Sequence, residues 1–226
     1  MKKYTYDTKK YDFANLVREA LKCEVLSEAH SSLPKDVVYN EVFDIYNDNT
    51  TWYHKKVYNK FNNGWSEFMN IYRNFIKEEI SKHFDSKLVY QAKPTFRIHL
   101  PKNVAVGAYE NDNDGFHRDS DPDYGHPDDE INIYLPLTDA YGTNTFWVES
   151  KKNKKDYSPM EAAYGEYYIW KGTELAHGNK LNDTNKTRIS FDFRVIPKSS
   201  YNPETYKSSM NTKKKFIIGD YYDEIV

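Results

Sequence analysis

The sequence predicts a mainly β protein with flanking α-helices, a sandwich or barrel, and three observations carry that reading. From Thr95 onward, short runs alternate apolar and polar residues, the period-two signature of half-buried strands. Turn signals separate these runs: Asn113-Asp114-Gly115, Tyr141-Gly142 and Lys171-Gly172. No helical periodicity intervenes, and many short strands without helices between them close into a sandwich or barrel.

Taken in order, residues 12–26 read as an amphipathic helix, with Phe13, Leu16, Val17, Ala20 and Leu21 at helical spacing and Asp12 as N-cap. Cys23 reads as a small packed apolar residue and His30 as an ordinary exposed or capping histidine. Val37, Val38, Val42, Phe43 and Ile45 fit a short helix or a strand pair equally well. The aromatic stretch Trp52, Tyr53, Tyr58 and Phe61 either packs on the main domain or walls a site. Asn62-Asn63-Gly64 marks a turn, and residues 65–84 give the best helix in the chain, with Trp65, Phe68, Met69, Tyr72, Phe75, Ile76 and Ile80 on one face. His83 sits near its C-terminus, where the helix dipole favours a cation. Strand-like runs follow at 95–100, 104–109, 131–137, 145–149, 166–170 and 187–195. Phe96, Ile98 and Leu100 share one face of the first run, Arg97 and His99 the other. The closing run around Phe216 to Tyr222 suits an edge strand, a cover for a site mouth or a dimer contact. A single domain is expected: a mainly helical part over 1–93, a β core over 94–197 and an extension over 198–226.

Composition excludes several classes. The 226 residues carry a formal charge of −2, which gives no general pull toward nucleic acid or an acidic membrane. One cysteine rules out an intrachain disulfide and fits a reducing compartment. No apolar core follows Met1-Lys2-Lys3 and no stretch reaches membrane-spanning length, so a cytoplasmic monomer or homodimer acting on a small molecule is expected. The 21 tyrosines are amphipathic, ring packed and hydroxyl near a partner.

The chemistry concentrates in Gly115-Phe116-His117-Arg118-Asp119-Ser120, at the end of an apolar alternating run. In an extended chain His117 and Asp119 project from one face. With His177 from Glu174-Leu175-Ala176-His177-Gly178-Asn179, two imidazoles and a carboxylate make a facial triad for iron(II). Arg188 and Ser190 share a strand face further on, and a guanidinium grips a carboxylate with two parallel bonds. This ordered set, with Tyr124-Gly125-His126 and the runs from Glu130 to Thr138 and Arg188 to Arg194, resembles the iron(II)- and 2-oxoglutarate-dependent oxygenases, in a bacterial branch near the phytanoyl-CoA dioxygenases that includes proteins of streptomycin-type biosynthetic clusters. The resemblance covers roughly Phe96 to Val195.

It implies a double-stranded β-helix (a jelly roll, cupin-like), with iron(II) held by His117, Asp119 and His177, and with 2-oxoglutarate and dioxygen as cosubstrates. Oxidation of a small polar metabolite would be coupled to release of succinate and CO2. Arg188 and Ser190 are expected on the distal carboxylate of 2-oxoglutarate, and Asn132, Tyr134, Asn144 and Thr145 around the cosubstrate. A competing pair, His126 and Asp128, lies inside a loop with Pro127 between the two, which restricts that backbone. His126 is therefore expected behind the ligands, Trp147, Asn179 and Arg97 either on substrate or behind the ligands, and Arg194 either facing substrate or structural. The retained carboxylate at 119 favours hydroxylation over halogenation, which in this fold replaces it by a small residue. Acidic residues 121, 123, 128 and 129 hint at a cationic or hydroxyl-rich substrate. Two alternatives stay open: a non-catalytic jelly-roll binding module, and a cupin-like metalloenzyme that needs no 2-oxoglutarate.

Overall fold

The computed structural model describes residues 1–33, 51–103, 116–209 and 213–225. Among these residues ten strands form two antiparallel sheets: β1 (Lys2–Thr5), β2 (Leu88–Gln91), β3 (Thr95–His99), β4 (Ile131–Pro136), β5 (Phe146–Val148), β6 (Ser158–Pro159), β7 (Glu166–Trp170), β8 (His177–Asn179), β9 (Arg188–Pro197) and β10 (Tyr222–Glu224). The larger sheet runs β1-β7-β4-β9-β2-β10, with β3 also paired to β9, and the smaller runs β6-β5-β8. Strand β9 is the spine. Its ten residues pair with β3, β4 and β2 along its length, and nine of the ten are buried. The expected runs at 104–109 and 37–45, and the turn at 113–115, lie outside the described residues.

One face of the larger sheet is sealed by three helices. Helix α1 (Phe13–Leu21) starts where Asp12 accepts the Asn15 N–H and stops at Lys22, which adopts a left-handed conformation. It is shorter than its periodicity suggests, because Leu26 to Ser31 tightens into a 3-10 turn. Helix α2 (Trp52–Asn62) is the aromatic stretch, and it packs on α1 and β3. Helix α3 (Ser66–Phe75) runs into a π turn at Ile76–Ile80 and a 3-10 turn at Ser81–His83. The long helical pattern is thus one rod with three pitches. Its apolar face meets the sheet through aromatic edges, with Phe68 4.9 Å from Phe191 and Tyr72 5.0 Å from Phe193. Among the described residues, no helix is long and apolar enough to cross a membrane.

Three elements differ from expectation. The N-terminal 93 residues supply β1 and β2 as well as helices, because four-residue strands fall below what an alternation pattern resolves. His30 is not a surface histidine: its Nδ1 lies 2.7 Å from the Thr187 hydroxyl, tying the 3-10 turn to the start of β9. His83 is not a dipole-stabilised cation. Burial pulls its pKa down, and its ring packs on Tyr4 with Nε2 2.9 Å from the Tyr167 hydroxyl.

Candidate metal centre

The centre forms where the two sheets meet. His117 and His177 face each other as a reciprocally bonded backbone pair: each N–H donates to the other's carbonyl, at 3.0 and 2.9 Å. A hydrogen-bonded antiparallel pair puts both side chains on one face. Asp119, two residues on, is pinned by its own N–H, which donates to the Gly172 carbonyl at 2.9 Å. One ligand atom from each of His117, Asp119 and His177 lies within 4.8 Å of the others. Asp119 Oδ1 is 3.6 Å from His177 Nε2 and 4.0 Å from His117 Nε2.

The surrounding bonds aim these donors. His177 Nδ1 donates to the Leu175 carbonyl at 3.0 Å, so Nε2 presents its lone pair to the centre. The Asp119 oxygens divide their work. Oδ2 accepts from Asn132 Nδ2 at 2.7 Å and from Arg194 Nη2 at 3.1 Å, leaving Oδ1 on the histidine side. Rings hold the imidazoles: Tyr124 stacks on His117 at 4.0 Å and Trp170 sets its edge to His177 at 4.7 Å. Burial opposes ionisation of Asp119, but Arg194 and the histidines outweigh it and hold the carboxyl well below the usual carboxylate range. Burial lowers the pKa of His177, so its imidazole is kept neutral, as a metal ligand must be.

Two chambers meet at these donors. The inner cavity, about 40 Å³, is lined by residues that include Tyr134, Phe146, Trp170, Asn179 and Arg188. The outer chamber, about 480 Å³, opens past Tyr58, Tyr124, His126 and Tyr221. His117, Asp119, Arg97 and Arg194 line both. Arg188 is fully buried, with its guanidinium carbon 4.7 Å from the centroid of the Phe146 ring. Its Nη2 lies 3.4 Å from Asn179 Oδ1, while Nε and Nη1, and Ser190 Oγ beside it on the strand, have no hydrogen-bond partner among the described residues. Buried donors left open cost roughly 1–3 kcal/mol each, more when charged, so this end of the cavity fits an anion. Two neutral imidazoles and one carboxylate fit a divalent transition metal.

Arg194, Arg97, Asn132 and His126 are drawn in as supports. Arg194 Nη1 donates to Asp192 at 2.9 Å, and Arg97 Nε donates to the other oxygen of Asp192 at 2.8 Å. Arg194 therefore carries two carboxylates rather than reaching for substrate. Asn132, expected on the cosubstrate, uses its amide on Asp119 and on the Gly172 N–H. His126 Nδ1 is 2.7 Å from buried Glu130, and its ring packs on Phe216 from the C-terminal extension. The competing ligand pair does not assemble, since Asp128 is exposed and no ligand cluster among the described residues contains it.

Asn144, Thr145 and Trp147 line neither chamber. In strand β5 it is Phe146, on the face opposite Trp147, that lines the cavity. The Asn144 side chain closes a 3-10 turn on the Tyr141 N–H, Thr145 Oγ1 donates to the Met160 carbonyl, and Trp147 carries the Lys180 ammonium on its ring. Sequence reasoning missed Gly172. A Cβ there would come within 2.7 Å of Asn132 Nδ2, so only glycine lets the turn reach both Asn132 and Asp119. Its reading as a turn glycine was the one available signal. Asp192, within Phe191-Asp192-Phe193-Arg194, was also missed as a carboxylate shared between Arg97 and Arg194.

No family model matches the chain. It is 35% identical, over the full length of both chains, to the "Streptomycin biosynthesis protein StrG" of Streptomyces griseus. Among solved structures it is similar to the non-heme monooxygenase ThoJ at 11% identity, with 85% of this chain and 71% of that chain covered and a TM-score of 0.46. It is similar also to the non-heme alpha-ketoglutarate-dependent epimerase SnoN from nogalamycin biosynthesis at 13% identity, with 69% and 72% covered and a TM-score of 0.45. Both structural likenesses are too distant to assign a reaction.

Proposed function

The chain belongs to the family of the streptomycin biosynthesis protein StrG, and from that premise we propose that it is an iron(II)- and 2-oxoglutarate-dependent dioxygenase that hydroxylates a small polar biosynthetic metabolite. The observation that carries this reading is one cavity holding both a two-histidine, one-carboxylate cluster and a buried arginine with open donors. The two-sheet layout supports a jelly roll with its metal between the sheets.

Each residue has a task in this scheme. His117, Asp119 and His177 would hold the metal, each offering one ligand atom. Asn132 and Arg194 keep the Asp119 carboxylate turned so that one oxygen ligates. Arg188 takes the distal carboxylate of 2-oxoglutarate in its planar fork, and Ser190 donates to the same group. Tyr134, Phe146 and Trp170 exclude water between that carboxylate and the metal. When bound, iron(II) with 2-oxoglutarate and dioxygen supplies an oxidative decarboxylation to succinate and CO2 coupled to substrate oxidation. The narrow inner cavity suits a slender dicarboxylate, and the outer chamber then receives the substrate.

Succinate release with iron(II), ascorbate and 2-oxoglutarate tests this across native protein, His177→Ala and Arg188→Lys. The expected pattern is turnover in the native protein, none in His177→Ala, and a raised 2-oxoglutarate requirement in Arg188→Lys. Metal binding with Arg188 dispensable would point instead to a metalloenzyme that needs no cosubstrate. Absence of succinate from freshly reconstituted native protein, across candidate substrates, would point to a binding module.

A further inference from the structure

The short strand β8, which opens on His177, runs between two neighbours. His117 pairs with His177 on one side, and Val148 of β5 pairs with it on the other. The residues that follow those two partners, Arg118 and Glu149, meet each other and the segment that leads into His177. Arg118 Nη2 lies 3.4 Å from Glu149 Oε1, and Arg118 Nε donates to the Glu174 carbonyl at 3.0 Å. Glu149 Oε1 also accepts the Ala176 N–H at 2.8 Å, and the Glu149 N–H donates to the Ala176 carbonyl at 3.0 Å. Leu175 is thus held on both sides, and its carbonyl is the acceptor that fixes His177 Nδ1. Glu149 is fully buried, and its second oxygen accepts the Lys155 N–H at 3.1 Å. Arg118 is half-buried, donates also to Asn153 Oδ1, and has its backbone N–H on Asp121 at 2.8 Å. Burying a carboxylate is unfavourable unless its bonds are completed, and an apolar side chain would seal this corner with less penalty. What the ion pair adds is direction.

We propose that Arg118 and Glu149 act as one strap that positions His177 for the metal through the Leu175 carbonyl. They are positioning residues, since neither belongs to the donor cluster. The strap also couples the two ligand segments, because Arg118 stands in the chain between His117 and Asp119, while Glu149 binds the residue before His177. Loosening it leaves all three donors present but frees the Leu175 carbonyl to move, and the His177 ring then turns away from the ion. The proposal rests on the metal-centre reading and is independent of which cosubstrate or substrate follows.

The test uses the full chain, with manganese(II) affinity read by calorimetry and cobalt(II) as a spectroscopic probe of ligand geometry. The variants are Arg118→Met, Glu149→Gln, the two combined, and Tyr53→Phe. The last removes a buried bond to the Ala29 carbonyl in the helical layer and controls for general loosening. Each single strap variant should bind manganese(II) about 10–100-fold more weakly than native protein. The combined variant should bind no more weakly than the worse of the two, because both side chains act through one contact. At saturating cobalt(II), the visible bands should move in the strap variants and superimpose on native in Tyr53→Phe. Arg118→Lys keeps the charge and loses the fork, so it reports a smaller loss of the same kind if Arg118→Met does not fold. Manganese(II) affinity within about twofold of native in the strap variants, cobalt(II) bands that do not move, an equal loss in Tyr53→Phe, or losses that add in the combination would overturn the proposal. A native protein that binds no manganese(II) would overturn the metal-centre reading itself, and the strap with it.

Discussion

Two guanidiniums stand six residues apart on β9, both buried, and their surroundings differ completely. Arg194 stands among carboxylates: Nη1 and Nη2 lie within 3.1 Å of Asp192 and Asp119, and Nε, which makes no hydrogen bond among the described residues, is 4.0 Å from Glu130. Burial works against its charge, but Asp119 and its neighbours outweigh that and raise its pKa well above the ordinary value. Arg188 has an amide oxygen at 3.4 Å and otherwise rings around it. A fold that buries an arginine against two carboxylates has built an internal brace. A fold that buries one and leaves its donors open has left room for an anion from outside. The contrast separates support from recognition on one strand, without reference to any relative.

Breaking the carboxylate-bound end should have the largest effect. Arg194→Met takes the guanidinium from buried Asp119 and leaves Asp192 to Arg97 alone, and urea unfolding of the metal-free protein should show a loss of about 3–5 kcal/mol. The open end should behave oppositely. Arg188→Met removes donors that have no protein partner, so stability should stay within about 1 kcal/mol of native, while calorimetric 2-oxoglutarate affinity falls roughly 100-fold. A stability loss in Arg188→Met equal to that in Arg194→Met would erase the distinction.

Acid should sharpen it. His99 is fully buried, and burial, reinforced by Arg188, depresses its pKa to about 3. Between there and the ordinary value near 6.5, the unfolded chain binds a proton that the folded chain refuses, so stability rises with pH across that window and is flat above it. At about pH 4.5 the cost should approach 2–3 kcal/mol, and His99→Gln should remove that part of the slope in unfolding curves taken from about pH 4 to 8. Asp192 acts lower. Burial raises its pKa, but Arg97 and Arg194 outweigh that and hold it below the ordinary value, so its contribution is lost only as pH falls below about 4. The smallest effect should come from the turn that reads Asp119 indirectly. Gly172→Ala pushes Asn132 off the carboxylate, and manganese(II) affinity should fall about 10–100-fold with little change in the far-ultraviolet circular dichroism.

The sequence carried the donors better than their supports, for a physical reason. His117 and Asp119 sit two residues apart, and Arg188 and Ser190 likewise, so the period of an extended chain places each pair before any tertiary structure is known. Asp192 and Arg194 obey the same rule, yet their partners Asp119 and Arg97 are about a hundred positions or fewer away along the chain, and no local pattern announces them. Trp147 lies inside β5, but it is Phe146 on the opposite face that lines the cavity, and alternation alone does not say which face of a strand turns inward. Gly172 looked like any turn glycine until Asn132 came to stand against it. For the fold, long alternations were legible and four-residue strands were not.

The main-chain pairing of His117 with His177 has an evolutionary consequence. Because the spacing of the two imidazoles is inherited from a backbone rung, the loops that shape the outer chamber can drift or lengthen without resetting it. Descendants of such a scaffold can rewrite the rim alone, and the spacing of the two imidazoles is passed on unchanged.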